Sequence, residues 1–156
     1  MKGIIMKMFC SVLLCAVLSS NAQAALFSSS NATVNVGGTV TVRIFVTGDQ
    51  RTVGGQMDVN VPVGFSVSAL PLSILGMSTA CVVLNQGRTV RVIVISGSPL
   101  TLLPTAKPLG ICNITVSAAA GALSGKFEMG NGECVDSVGN TFPICALDSG
   151  YMTVVN

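Results

Sequence analysis

The chain has 156 residues, half of them hydrophobic and only 9% charged, with a formal net charge of +2. Lys2 and Lys7 account for that excess, because the six later basic residues (Arg43, Arg51, Arg88, Arg91, Lys107, Lys126) face six acidic ones. So even a balance leaves no electrostatic footprint for nucleic acid or an anionic membrane surface.

The N-terminus reads as a targeting segment. Lys2 and Lys7 open it, residues 8–18 form its apolar centre, and Ala22-Gln23-Ala24 closes it with small residues around one larger one. The apolar run is shorter than the roughly 20 residues that span a bilayer, so a signal peptide over 1–24 is predicted, cleaved after Ala24. Residues 25–156 then form one domain of about 130 residues, long enough to hold its own core. Its destination is the exterior: secreted, periplasmic or on the cell surface. No later apolar run reaches membrane-spanning length.

Residues 25–31 read as a polar Ser/Asn lead-in to a short strand over 32–36. In residues 39–47, Val40, Val42, Ile44 and Val46 alternate with Thr39, Thr41, Arg43 and Phe45; Met57, Val59, Val61 and Val63 alternate with Gln56, Asp58 and Asn60. Strand side chains point to opposite faces in turn, so each run is a strand with one apolar face. The intervening GDQRTVGG is rich in turn formers. Residues 65–75 are apolar but carry Pro71, which suits an edge strand. Residues 76–80 read as a turn, and 81–95 as a hairpin reversing at Asn85-Gln86-Gly87. The second arm, 89–95, is apolar almost throughout, as a strand covered on both faces would be. Pro99, Pro104 and Pro108 make 98–110 a crossover loop.

In residues 111–118, Cys112, Ile114 and Val116 share one face, and Asn113, Thr115 and Ser117 the other. A strand beginning at Gly125, a turn at Gly139-Asn140, another at Asp148-Ser149-Gly150 and a closing strand 151–155 complete the chain. The expectation is an all-β protein, a single β-sandwich of about nine strands with little or no helix.

Four cysteines remain after Cys10 and Cys15 leave with the signal, an even number in an exported chain. Three pairings are open. Position favours Cys134–Cys145, which flank the Gly139-Asn140 turn. It also favours Cys81–Cys112, since Cys112 lies on an apolar face that the strand opened by Cys81 can approach. Zinc does not fit: no two cysteines have C-x-x-C spacing and the chain has no histidine.

Without histidine, serine or cysteine nucleophiles lack their usual base, and no pair of acids stands in a suggestive setting. Catalytic residues, cofactors and metals are therefore expected to be none. Asp58, on the polar face of a strand, reads as a solvated charge. Asp136 to Asn140 reads as a turn, since it lacks the acidic ladder of a calcium loop. No Trp and a single Tyr, Tyr151, argue against a flat polysaccharide-binding face, though not against a small glycan. Asn31-Ala32-Thr33 and Asn113-Ile114-Thr115 match the glycosylation sequon.

Three stretches carry a family likeness. VNVGGTVTVRIFV resembles the entry strand of the cohesins, and VGGQMDVNVP their glycine-led, Asp-bearing strand. ECVDSVGNTFPI with SGYMTVV is similar to their late D-x-x-G-N turn and closing strand. Together these run over residues 32–155. Two features depart from the pattern: Asn60-Val61-Pro62-Val63 replaces an aromatic-Asp-Pro, and four cysteines are unusual among cellulosomal members. The resemblance implies a jelly-roll topology and a non-catalytic module that binds a secreted or surface protein, dockerin-like or other, through a sheet face. If the strands neighbour as in cohesins, Gln56, Asp58, Asn60, Arg91, Asn113 and Thr115 would share that face. Two alternatives stand beside it: a structural subunit of pilin-like or surface-layer type, assembling through an edge strand, and a weak carbohydrate-binding module.

Overall fold

The computed structural model describes residues 25–98, 102–142 and 145–156; the predicted signal peptide lies outside them. Thirteen strands follow one another: β1 Leu26–Ser29, β2 Ala32–Asn35, β3 Thr39–Thr47, β4 Thr52–Asn60, β5 Phe65–Pro71, β6 Met77–Leu84, β7 Thr89–Ser96, β8 Leu109–Ala118, β9 Gly125–Lys126, β10 Glu128–Asp136, β11 Thr141–Phe142, β12 Ala146–Asp148 and β13 Tyr151–Val155. The count exceeds nine chiefly because strands at the two ends are broken into short segments. One 3₁₀ turn, Asn85–Gly87, joins β6 to β7.

Two five-stranded sheets pack face to face, as expected for the jelly roll. The first has the order β12-β1-β3-β8-β5 and the second β11-β10-β4-β7-β6. Alternation decides what lies between them. Val42, Ile44 and Val46 of β3 and Cys112, Ile114 and Val116 of β8 are fully buried from one side, and Met57, Val59, Val90, Val92 and Val94 from the other. A small third sheet, β2-β13-β9, adds Val34 and Met152 to the core. Phe127, 1% exposed, fills the step where the chain leaves β9 for β10.

Several elements differ from the sequence expectations. Residues 26–29 are a strand, pairing antiparallel with β3 and parallel with β12, and Phe27 is fully buried. Four residues, LFSS, are too few to show alternation. The Gly54-Gly55 pair lies inside β4 rather than in a turn. A Cβ on Gly55 would stand 3.1 Å from the Phe27 ring and 2.8 Å from the Glu133 carbonyl oxygen, so only glycine lets the two sheets meet there. β6 begins at Met77, after a tight turn at Leu75-Gly76 (Gly76 φ +76°) closed by the Met77 N–H on the Ile74 carbonyl. β7 is covered on one face only, since Ile95 is 53% exposed on the other. Residues 148–150 do not reverse the chain: β12 runs parallel to β1, and β13 continues parallel to β2.

Cys81 and Cys112 lie 6.4 Å apart between Cα atoms, and Cys134 and Cys145 5.7 Å apart, the spacing of disulfides. β6 and β8 belong to different sheets, and Cys134 of β10 meets the residue that leads into β12 of the other. Each cystine therefore ties one sheet to the other, at opposite margins of the sandwich. The separations of 31 and 11 residues give expected contributions of about 4 and about 3 kcal/mol through the unfolded chain. Denaturant melts of Cys81→Ala/Cys112→Ala and Cys134→Ala/Cys145→Ala should show both losses, the longer loop costing slightly more. Equal stability of either variant with the parent would count against a structural bond at that margin.

Candidate partner-binding face

The outer face of the second sheet follows from its strand register. Glu128, Asn60, Thr89 and Leu84 form one row across β10, β4, β7 and β6. Gly130, Asp58, Arg91 and Val82 form the next, and Glu133, Gln56, Ile93 and Ala80 the third. Ile95, opposite Gly54 and Ser78, begins the fourth. Neighbouring strands lie about 4.8 Å apart, so each row places its side chains in contact distance.

Cross-strand polar bonds knit the rows. Arg91 grips Asp58 with two parallel bonds, Nε to Oδ1 and Nη2 to Oδ2, both 2.8 Å. Asn131 Nδ2 donates a third, 2.8 Å, to Asp58 Oδ2. Gln56 Nε2 donates to Glu133 Oε2 at 2.8 Å, and Thr89 Oγ1 to Asn60 Oδ1 at 2.6 Å. Asn131 reaches Asp58 because β10 bulges. Asn131 and Gly132 together oppose one residue of β4, and Asn131 takes a left-handed φ of +51°. The bulge turns the Asn131 side chain onto the carboxylate.

Asp58 is 6% exposed, whereas the Arg91 side chain remains 41% exposed. The Arg91 hydrogen bonds hold the Asp58 carboxyl below its usual range, helped by Asn131, against burial that pushes it up. Asp49 is lowered too: burial pushes it up, but bonds from Thr52 and from the Arg51 and Thr52 backbone more than offset this, and it serves to fix the β3–β4 turn. Asp136 closes the β10–β11 turn by accepting from the Val138 and Asn140 backbone and the Asn140 amide. Among the described residues no cluster of three metal-ligating side chains occurs.

Six residues were predicted to share one face, and the structure divides them. Gln56, Asp58, Asn60 and Arg91 are together on the second sheet. Asn113 and Thr115 sit on β8 of the first sheet, facing the opposite side of the sandwich. There Asn113 accepts a 3.1 Å bond from Arg43 Nε, in a field of Thr39, Thr41, Ser66, Ser68 and Ser117. Alternation tells which residues share a face of one strand, but not which sheet a strand joins. Asp58 is not a solvated charge either, because Arg91 lies directly across from it. Sequence reading missed Asn131, Glu133 and the apolar flank of Val82, Ile93 and Ile95. Gly-Asn-Gly within a strand pattern is the signal that marks the bulge.

No protein-family model and no curated protein matches the sequence. Solved structures do match in fold. A non-cellulosomal cohesin from the hyperthermophilic archaeon Archaeoglobus fulgidus superposes with a TM-score of 0.66 at 12% identity, over 85% of this chain and 92% of that one. A type I cohesin–dockerin complex from Clostridium thermocellum matches at 0.63 and 9% identity, over 84% and 93%. The cohesin CaCohA2 from Clostridium acetobutylicum matches at 0.60 and 18% identity, over 86% and 92%. The chain has a cohesin-like fold.

The Asp58 cluster sets a pH dependence. A carboxyl whose pKa is lowered by folding stabilises the protein above its unfolded value, and that contribution is lost as pH falls through the folded one. Stability should therefore decline below about pH 4. Asp58→Asn should flatten that decline, leaving the shares due to Asp49 and Asp136, and cost about 1–2 kcal/mol at pH 7, a figure reduced for the exposure of Arg91. Denaturant titrations of both proteins from pH 3 to 7 provide the check; an unchanged slope would show that the Asp58–Arg91 pair contributes nothing.

Proposed function

We propose that the protein is an exported, non-catalytic interaction module that binds a secreted or surface protein on the outer face of β10-β4-β7-β6. One observation carries the reading. This face is a platform fixed by the Asp58–Arg91–Asn131 cluster and flanked by exposed apolar side chains, Val82 at 46% and Ile95 at 53%. Rigid strands hold these groups in place, so little is lost in ordering them when a partner arrives. The solved cohesins of this fold include complexes with dockerins, which supports a protein as the partner class.

The face is asymmetric, and this defines the partner's chemistry. Its β10 side carries Glu128 and Glu133, both exposed; its β6 side carries Val82, Ile93 and Ile95. A complementary surface would set apolar side chains against the second group and a basic side chain against Glu133, as an amphipathic helix can. Export rests on the predicted signal peptide and on the two cystines, which persist in oxidising compartments. A second reading, a subunit assembling through an edge, has β6 in its favour: eight residues at the sheet margin with neither charge nor proline.

Dockerin modules encoded in the same genome are the first probes, measured by calorimetry. Ile95→Glu should weaken binding at least tenfold, and Glu133→Lys should weaken it severalfold and reverse its salt dependence. Asn113→Arg with Thr115→Arg, on the far side, should leave it unchanged. Loss of binding in that last variant alone would move the interface to the first sheet; concentration-dependent assembly without any partner would favour the edge. Mass spectrometry of exported material should find Ala25 at the N-terminus.

A further inference from the structure

A groove of about 600 Å³ opens at one end of the sandwich, between the β4–β5 turn, the β6–β7 turn and the β9–β10 step. Its volume lies within the range of small-ligand sites, about 300–1,000 Å³. It shares Asn60, Thr89 and Glu128 with the first row of the outer face, and its ligand chemistry does not depend on the protein-binding reading.

The groove is built rather than incidental. The β6–β7 turn holds two non-glycine residues in the left-handed region, Asn85 (φ +49°) and Gln86 (φ +56°), a conformation disfavoured for side-chain-bearing residues. A hydrogen-bond relay fixes the wall: Asn85 Nδ2 donates to Thr89 Oγ1 at 3.0 Å, and Thr89, 5% exposed, donates to Asn60 Oδ1 at 2.6 Å. The Val61 N–H bonds the Arg88 carbonyl at 3.0 Å and joins the two turns.

Polar groups converge there without protein partners. Among the described residues, the Arg88 guanidinium, the Lys126 ammonium, the Glu128 carboxylate and the Asn60 amide nitrogen all line the groove and none has a hydrogen-bond or ion-pair partner. Pro62 and Val63, the latter 69% exposed, give it an apolar side.

We propose that this groove binds a uronic acid residue of an acidic saccharide. The sugar carboxylate meets Arg88 and Lys126. Arginine presents paired N–H donors that match two carboxylate oxygens. Ring hydroxyls meet the Asn60 and Asn85 amides and Glu128, and the C–H face of the ring rests on Pro62 and Val63. Two cations against one carboxylate leave a single positive charge, which balances a monoanion and falls one short of balancing a phosphate dianion. In such a site charge and amides take the place of an aromatic platform, which a chain without Trp lacks.

The purified protein, isotopically labelled, should be titrated with trimers of galacturonate, glucuronate and mannuronate, a neutral galactose trimer and inorganic phosphate. At least one uronate should give saturable amide shifts confined to residues 60–64, 85–89 and 125–128. Arg88→Gln and Lys126→Gln should each weaken that binding about tenfold or more, with melting temperatures unchanged, since both side chains are exposed. Saturation by none of the uronates would overturn the proposal. So would equal affinity for the neutral trimer, phosphate alone reproducing the shifts, or binding that persists in the double variant.

Discussion

Hydrogen bonding in a two-sheet sandwich runs within each sheet, so what presses one sheet on the other is chiefly apolar burial. Here that burial is a narrow layer of branched aliphatics: Val42, Ile44, Ile114 and Val116 against Met57, Val59, Val90 and Val92, all fully enclosed. Most of the other features follow from the need to keep these two surfaces aligned. The core has few aromatic side chains, with Phe27 and Phe127 the largest fully buried ones. Both sit where the regular layer ends, Phe27 under β4 at Gly55 and Phe127 at the passage from β9 to β10. The aliphatic layer sets the spacing and the phenylalanines close its ends.

The cystines complete this closure. An open sandwich has two margins where the aliphatic layer meets solvent. At one, β5 and β6 are the terminal strands of their sheets; at the other, β12 and β11 are terminal, and β12 lies near β10. Cys81–Cys112 joins the sheets at the first margin and Cys134–Cys145 at the second. Where apolar contact thins out, a covalent link takes over. Residues 72–74 cover the start of the β6 edge, through Ile74 on Met77 and Leu72 on Thr79, and the rest of that edge carries no charge or proline to discourage pairing.

The alternating strands were legible in the sequence because one of their faces is buried, which imposes a period of two on the residues. That reasoning placed β3, β4, β8 and β13, identified Cys112 as inward-facing and brought out both cysteine pairs. It failed where the structure rests on a single long-range contact. Phe27 was read as part of a polar lead-in, and Gly54-Gly55 as turn formers; the two errors are linked, since Gly55 admits the Phe27 ring, while a Cβ on Gly54 would meet the Val94 carbonyl at 2.9 Å. The candidate site divided the same way. Gln56, Asp58 and Asn60 were grouped correctly by their spacing on one strand, and Arg91 lies beside them. Asn113 and Thr115 were misplaced because nothing local distinguishes membership of one sheet from membership of the other.

The two outer faces put their freedom to different uses. On the first sheet, Thr39, Thr41, Ser66, Ser68, Thr115 and Ser117 form rows of small hydroxyl side chains that keep the surface wet, interrupted by one row of Arg43, Asn113 and the exposed Leu70. On the second, a neutralised ion pair, two exposed acids and an apolar flank lie side by side within one register. Specific recognition needs groups of different character at fixed separations, because a uniform surface accepts a partner equally well in many orientations. The bulge at Asn131 serves this end. It adds a third donor to Asp58 without adding a charge, so the carboxylate and Arg91 hold one geometry while the guanidinium stays partly open to solvent. A solvated Asp–Arg pair would be mobile and strongly screened; a clamped one is a fixed dipole in a stiff sheet. Of the two, the second face is therefore the one that would give an approaching partner a preferred direction.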